Sequence, residues 1–387
     1  MKKKILIISS GRSDYDRYYP ILSSLKKTRK AKLLVYLTCQ NYNKVFSNNI
    51  KKIKNEFEIL KNPTNKKNFS DGAYQMIKNL SHDLENLSTH TKIKKPDIII
   101  IMGDRYEMLI GPLVAMPFNI PTVHFFGGAV TEGAMDELIR HGITKMSHIH
   151  FVLLENYKKR LKSLGEESWR IKVVGMPSLN KKNIFKNKSR KIKNNLDKFT
   201  KSNPFMLLTF HPVTLEIDHL EMQVNSLIKA VKKSKMNTII TYPNSDPKFN
   251  LIIRLFKKNF FNSKKIIFVK SAGEDEYFDL MKKAKLMLGN SSSGIVEAAS
   301  FKLPVVNIGS RQKGKLKPKN VIDSGYHHKE ILKAIKKASS KGFKKSISKI
   351  KNPYMSKIDT NDLAKMILRI KNNEKIIKKK FHDMKRI

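Results

Sequence analysis

A single cysteine, Cys39, occurs in the 387 residues, which rules out an internal disulfide and a cysteine-based zinc module and fits a reducing cytoplasm. Long apolar runs are missing too, so no segment reaches membrane-spanning length and no membrane partner is expected. The start, Met1-Lys2-Lys3-Lys4-Ile5-Leu6-Ile7-Ile8, has the basic end and apolar run of a signal peptide. That run is too short, and Ser9-Ser10-Gly11-Arg12 follows without a cleavage pattern, so a first β-strand is expected there. Acidic residues are scarce: 32 Asp+Glu stand against 78 Lys+Arg, a formal charge of +46. Such a surface attracts polyanions and anionic small molecules. The lysines are spread along the chain and not gathered with aromatics into a stripe, so nucleic acid is not the expected partner. The spaced glycines of a dinucleotide fingerprint are absent, and no residues sit at metal-ligand spacing, so neither cofactor nor metal is expected.

What is present is a 40% hydrophobic composition, ample for packed cores, in a length that favours two or three domains. Short apolar runs alternate with longer amphipathic stretches, the pattern of parallel sheets covered by helices. Strands are expected at Lys4 to Ser9, Lys32 to Leu37, Asp97 to Met102, Thr122 to Phe125, His150 to Leu153 and Lys172 to Val174, in one sheet. A second sheet is expected from Phe205 to Phe210, Thr238 to Tyr242, Lys265 to Val269, Lys285 to Leu288 and Val305 to Asn307. An apolar strand ends near Gly175-Met176-Pro177-Ser178, where Lys/Asn-rich sequence begins. This places one domain at residues 1–178 and another at 179–355, with a helical segment at 356–387 that crosses back to the first. The expected fold class is α/β, two Rossmann-like domains with a central cleft.

Polar turns follow these strands, where open parallel sheets bind ligands. Gly289-Asn290-Ser291-Ser292-Ser293-Gly294-Ile295-Val296-Glu297 follows an apolar strand and opens a helix. Backbone N–H groups, the helix dipole and serine hydroxyls there could meet a phosphate, and Glu297 could take ribose hydroxyls. After the first strand, Gly11-Arg12-Ser13-Asp14-Tyr15-Asp16 offers a guanidinium for a phosphate, or simply caps a helix. Gly103-Asp104-Arg105-Tyr106-Glu107 repeats that arrangement, with Asp104 readable as a cap or a catalytic carboxylate. Gly127-Gly128-Ala129-Val130-Thr131-Glu132-Gly133 reads as a cleft-lining loop. The helix expected from near Ala134 carries Asp136, Glu137, Arg140 and His141, with 136/140 and 137/141 sharing faces, for catalysis or for surface ion pairs. His148 and His150 alternate on a strand without a third ligand and read as packed histidines. In the second half, His211-Pro212-Val213-Thr214, Tyr242-Pro243-Asn244-Ser245-Asp246-Pro247 and Gly309-Ser310-Arg311-Gln312 are further strand-end turns, readable as turn chemistry or as a site.

In combination these stretches, with Ile139-Arg140-His141 and Ile143-Thr144-Lys145, resemble the hydrolysing UDP-N-acetylglucosamine 2-epimerases and their relatives acting on di-N-acetylated bacillosamine nucleotides, which share the two-domain B-type glycosyltransferase fold. The resemblance runs from about residue 4 to about residue 355. It implies loss of UDP across the first two sugar carbons to a glycal, then hydration to a free N-acetylmannosamine-type sugar. It implies a UDP-sugar partner, a homodimer, a cytoplasmic setting and service to sialic-acid-like surface sugars. By the same resemblance Arg12, Asp16, Arg105, Arg140, His211, Asn244, Ser291, Ser292, Glu297 and Arg311 are substrate-binding candidates, with the two serines on the diphosphate and Glu297 on the ribose. Asp104, Glu132, Asp136, Glu137 and His211 are the catalytic candidates. The chain departs from the pattern at Phe126, where relatives typically carry glutamate or histidine, and at Ala129, where they carry glutamate. Glu132, in the same loop, is the candidate replacement, while Asp136 and Glu137 match the family's acidic pair. Met355-Ser356-Lys357 replaces the family's glycine-rich sequence after Asn-Pro-Tyr. A glycosyltransferase and a catalytically silent UDP-sugar binder are the alternatives on the same scaffold.

Overall fold

Ile98-Ile99-Ile100-Ile101-Met102 is buried at every position, as a strand covered on both faces must be. In the computed structural model it is the centre of a parallel sheet. The structure describes residues 1–42, 50–62, 72–180, 196, 199–200, 204–244, 246–270 and 272–383, leaving out the side chains of residues 12, 13, 16, 51 and 52.

The chain divides into two compact units. The first comprises Met1–Ala129, Asp136–Asn183 and Tyr354–Ile387, and the second Val130–Met135 and Ile184–Pro353. Unit 1 contains β1 (Lys3–Ser9), β2 (Ala31–Leu37), β3 (Glu58–Leu60), β4 (Ile98–Met102), β5 (Thr122–Phe125), β6 (Ile149–Val152) and β7 (Ile171–Val173), in the order β3-β2-β1-β4-β5-β6-β7. Unit 2 contains β8 (Phe205–Thr209), β9 (Asn237–Thr241), β10 (Ile266–Val269), β11 (Leu286–Gly289), β12 (Val305–Ile308) and β13 (Val321–Ser324), in the order β10-β9-β8-β11-β12-β13. Every pairing is parallel, and helices fill the crossovers except the one from β12 to β13, which is made of turns alone.

The strand order turns back on itself between β1 and β4, which pair at Ile5↔Ile98, and between β8 and β11, which pair at Gly289↔Thr209. Loops leaving two such neighbouring strands run in opposite directions and leave a crevice at the carboxyl edge. The Gly11 and Gly103 turns leave the first switch point, and the His211 and Asn290 turns leave the second. Gly289 is required there. Its φ is +127°, and an added Cβ would lie 2.0 Å from the Thr209 carbonyl oxygen.

Two strands escape the sequence pattern. Glu58–Leu60 is a three-residue edge strand, and Val321–Ser324 is half-exposed; neither carries the apolar run that marks the others. The helix expected near Ala134 starts instead at Asp136. The basic stretch between Asn180 and Ser202 lies outside the described residues except for Leu196, Phe199 and Thr200. Past Pro353, Met176 bridges Met355 and the helix Thr360–Arg369 packs on the helix Arg12–Lys27, with Ser24 Oγ donating to Thr360 Oγ1 at 3.0 Å.

Unit 1 also buries a carboxylate beneath the turn that follows β2. Asp83, on the helix Ala73–Lys94, accepts from the Tyr36 hydroxyl at 3.1 Å, the Cys39 backbone N–H at 3.1 Å and Asn62 Nδ2 at 2.6 Å. Burial outweighs these donors and pushes the Asp83 carboxyl up to about 7. The Cys39 thiol beside it is raised by burial and by Asp83.

Candidate functional site

In unit 1 the turn after β4 is set by Gly103 at φ +82°, a left-handed position that suits glycine and directs Asp104 beyond the strand end. Arg140, on the helix Asp136–Met146, reaches Asp104 with two N–H groups. Its Nε donates to Oδ2 at 2.7 Å and its Nη2 donates to the same oxygen. Nη1 donates to Glu137 Oε2 at 2.6 Å and to the Ala129 carbonyl at 2.9 Å. The Arg140 side chain is fully buried, while Asp104 and Glu137 keep 29% and 24% of their side-chain surface open. Burial works against the guanidinium charge, but Asp104 and Glu137 outweigh it and its pKa is raised. Glu137 also bonds His141 Nε2 at 3.0 Å, four residues along the same face. Asp136 opens this helix at its positive end.

Beside this cluster Arg105 holds Glu107, Nε to Oε2 at 3.2 Å. Burial raises the pKa of Glu107 against the pull of Arg105. His124 packs beneath the Gly103 turn, its Nε2 at 2.9 Å from the Gly103 carbonyl. Burial, then His150, lowers its pKa to about 3, so it is a neutral donor fixing the turn. His150 meets Glu166 at 3.0 Å, and His148 Nδ1 accepts from the Thr122 backbone at 3.1 Å. Both are packed histidines. Arg12 sits at the first position of the helix Arg12–Lys27 and Asp16 in its second turn, and the side chains of both lie outside the described residues.

In unit 2 Asn290 joins three turns. Its Oδ1 accepts from the His211 backbone N–H at 2.7 Å and its Nδ2 donates to the His211 carbonyl at 2.9 Å. Its own carbonyl accepts from Gln312 Nε2 at 2.8 Å and Arg311 Nη1 at 3.4 Å. The Asn244 backbone N–H donates to His211 Nδ1 at 3.1 Å, which places the proton of the neutral ring on Nε2. Arg311 is 3.5 Å from Asp246, and its Nε has no hydrogen-bond partner among the described residues. Beneath the Arg311 turn, Glu216 accepts from Tyr326 Oη at 2.6 Å and from Ser310 Oγ, tying that turn to the segment after β8.

The serine-rich turn is smaller than its sequence implies. Its helix runs only over Ser292–Val296 before a tighter turn at Ala298–Phe301. Ser291 Oγ accepts from the Ser293 backbone at 3.3 Å and so caps its own helix, while Ser292 is half-buried and Glu297 buried at the helix end. Glu132 forms an exposed ion pair with Lys313 at 2.9 Å.

The structure thus gathers Asp104, Glu137, Arg140 and His141 in one cluster of unit 1, with Arg105 and Asp136 adjoining. In unit 2 it gathers His211, Asn244 and Arg311 in another. Sequence reasoning does not single out Asn290, Asp246, Glu216 or Tyr326 as supports. Asn290 and Asp246 lie inside the strand-end turns named above, which is the available signal; Glu216 and Tyr326 carry none. Among the described residues no three His, Cys, Asp or Glu side chains could together hold a metal, and no helix is long and apolar enough to cross a membrane.

The sequence model of the family described as UDP-N-acetylglucosamine 2-epimerase matches residues 23–368. A GDP/UDP-N,N'-diacetylbacillosamine 2-epimerase (hydrolyzing) from Campylobacter jejuni is 36% identical, over 99% of this chain and 100% of its own. A UDP-N,N'-diacetylbacillosamine 2-epimerase (hydrolyzing) from Legionella pneumophila is 34% identical over 88% of this chain and 90% of its own. The solved UDP-GlcNAc 2-epimerase of Methanocaldococcus jannaschii, in complex with UDP-GlcNAc and UDP, superposes with a TM-score of 0.76 at 20% identity, covering 94% of this chain and 99% of that one. That likeness carries the fold: two parallel-sheet α/β units of the B-type glycosyltransferase kind. Matched over most of its length by the family model and along its whole length by a relative, the chain belongs to the UDP-N-acetylglucosamine 2-epimerase family.

Proposed function

We propose that the chain is a hydrolysing 2-epimerase that converts a UDP-linked N-acetylated amino sugar to UDP and a free N-acetylmannosamine-type sugar. The observation that carries this reading is the Asp104–Arg140–Glu137–His141 cluster at the β1/β4 switch point in a chain of this family. The two relatives named for diacetylbacillosamine favour the diacetylated 6-deoxy sugar over plain N-acetylglucosamine.

In the first step a carboxylate takes the proton on sugar carbon 2 while the bond from carbon 1 to the diphosphate oxygen breaks, leaving a C1=C2 glycal and UDP. In the second, water adds its hydroxyl to carbon 1 while a proton returns to carbon 2 from the opposite face. In this reading Asp104, Glu137 and Asp136 carry these transfers and Arg105 and Arg140 stabilise the charge. His211, through Nε2, and Arg311, Asn244, Ser291 and Ser292 bind the departing diphosphate and relieve its charge, with Glu297 on the ribose. Arg12 and Asp16 complete the substrate contacts. Glu132 is the weakest acid candidate because Lys313 already engages it at the surface. The buried single thiol supports a cytoplasmic setting, and family membership supports a homodimer.

Incubation in D2O with UDP-N-acetylglucosamine or its diacetylbacillosamine counterpart, followed by NMR, is expected to show free UDP and a 2-epimeric sugar carrying deuterium at carbon 2. Absence of UDP release from every UDP-amino sugar overturns the reading. A silent UDP-sugar binder is the second reading, favoured by Phe126 and Ala129, both apolar and buried where relatives typically carry acid or base groups. It predicts calorimetric UDP binding without turnover, and activity created by Ala129→Glu.

A further inference from the structure

The helix Asp136–Met146 carries Glu137, Arg140 and His141 near its start. Like any helix it ends in carbonyls with no partner inside the helix and a negative dipole end. Lys379, more than two hundred residues away, donates to this end, where among the described residues the Thr144 carbonyl otherwise accepts only from the Ser147 backbone at 3.2 Å. Its Nζ donates to the carbonyls of Thr144 at 3.1 Å, Lys145 at 2.8 Å and Ser147 at 2.7 Å. The same ammonium pairs with Glu166 Oε2 at 2.8 Å, and Glu166 is fully buried between His150 at 3.0 Å and Lys145 at 3.1 Å.

The segment bearing Lys379 is itself fastened. Asn373 caps the short helix Glu374–Ile377 through its side chain. The buried Arg170 guanidinium donates to the carbonyls of Ile376 at 2.9 Å, Lys375 at 3.1 Å and Lys378 at 3.3 Å. Farther on, the His382 backbone donates to the Gly165 carbonyl at 2.9 Å. The Phe381 ring lies so close over Gly165 that an added Cβ would sit 2.5 Å from it. Lys145, in turn, lies 4.7 Å over the Phe381 ring.

We propose that residues 374–382 form a latch that holds the catalytic helix in register, with Lys379 as a positioning residue for Glu137, Arg140 and His141. An eleven-residue α-helix is a rod about 16 Å long, so displacement at its end carries through to its first turns. The groups facing Lys379 are Glu166, Lys145, Arg170, His148 and His150. Burial lowers its pKa to about 8 against the pull of Glu166, so the ammonium still carries its charge at neutral pH and its hydrogen bonds are charge-assisted.

The catalytic part of this inference rests on the proposed 2-epimerase reaction; the latch does not, and the test separates them. In full-length Lys379→Met, hydrogen exchange at residues 141–147 is expected to rise while calorimetric UDP affinity stays within about twofold. The kcat should fall about tenfold or more, since ångström-scale misplacement of catalytic groups costs up to about a hundredfold. Arg170→Met, which frees the latch and removes one bond to the His148 carbonyl at 3.2 Å but none to the helix Asp136–Met146 itself, should raise the exchange at 141–146. It should also shift the emission of Trp169, whose ring Arg170 covers at 4.3 Å and Lys375 at 5.4 Å. Unchanged exchange at 141–146 in both variants overturns the latch, as does a loss of UDP affinity matching the loss of kcat. A wild-type chain without turnover would refute the reaction and leave the exchange measurement to decide the latch.

Discussion

Replacing Arg140 by methionine keeps most of the side chain's length and removes the charge that organises the unit 1 cluster. The guanidinium donates twice to Asp104 and once each to Glu137 and the Ala129 carbonyl. Removing one partner of a buried ion pair costs about 3–5 kcal/mol because it leaves the other charge behind. Asp104 and Glu137 keep 29% and 24% of their side-chain surface open to water, which places the expected loss at the lower end, about 3 kcal/mol. For a unit of roughly 200 residues that corresponds to a melting point lower by about 6–12 °C. Trp169 is the only tryptophan and lies in unit 1, so its fluorescence during heating reports on that unit. Turnover of the UDP-sugar should fall at least about a hundredfold, because Asp104 and Glu137 lose the group that orients both. Adding Asp104→Asn to Arg140→Met should restore part of the stability and none of the activity, with a coupling energy of about 1–3 kcal/mol. A shift under about 2 °C in the single variant, or strictly additive stabilities, would refute the account of the cluster as a mutually dependent ion-pair network.

Other variants address other links. Asn290→Ala strips the His211 backbone of two buried hydrogen bonds, so about 2 kcal/mol or more of stability and much of the UDP affinity should go; calorimetry showing wild-type binding would contradict this. Gly289→Ala should fail to give folded protein, whereas Gly142→Ala, mid-helix and with nothing within 4 Å of the added carbon, should stabilise by about 0.5–1 kcal/mol in denaturant titration. Asp83 has a folded-state pKa of about 7 against an ordinary 3.8, so the native state holds the extra proton between those values. Its contribution is complete below pH 3.8 and is lost as pH rises through about 7. The stability of Asp83→Asn should accordingly be flatter across that window, and an unchanged slope in urea titrations at several pH values would remove Asp83 from the explanation.

Much of this architecture can be read along the chain because buried parallel strands announce themselves. Ile98–Met102 and Phe205–Leu208 are uninterrupted apolar runs. Glu58–Leu60 and Val321–Ser324 do not, because edge strands are covered on fewer sides and need fewer apolar residues. The candidate site divides the same way. Asp104 and His211 stand out as polar residues just past strand ends, and Arg140 as a basic residue on an acidic helix face, but their partnerships are tertiary. Nothing local says that Asn290 will clasp the backbone of His211, or that Glu216 will seat Ser310 and Tyr326. The serine-rich turn is legible in composition but not in detail: Ser291 Oγ accepts from the Ser293 backbone and caps its own helix, while its O–H remains able to donate to a phosphate.

The setting of Cys39 has a practical consequence. Its sulfur lies against the Asn79 carbonyl at 3.7 Å and Asn62 Nδ2 at 3.8 Å, inside the fold, with the thiolate disfavoured by burial and by Asp83. The native protein should therefore be silent toward maleimides, so one cysteine engineered onto an exposed site would take a fluorophore or spin label alone. Motion within either unit could then be followed by spectroscopy without first removing the natural thiol.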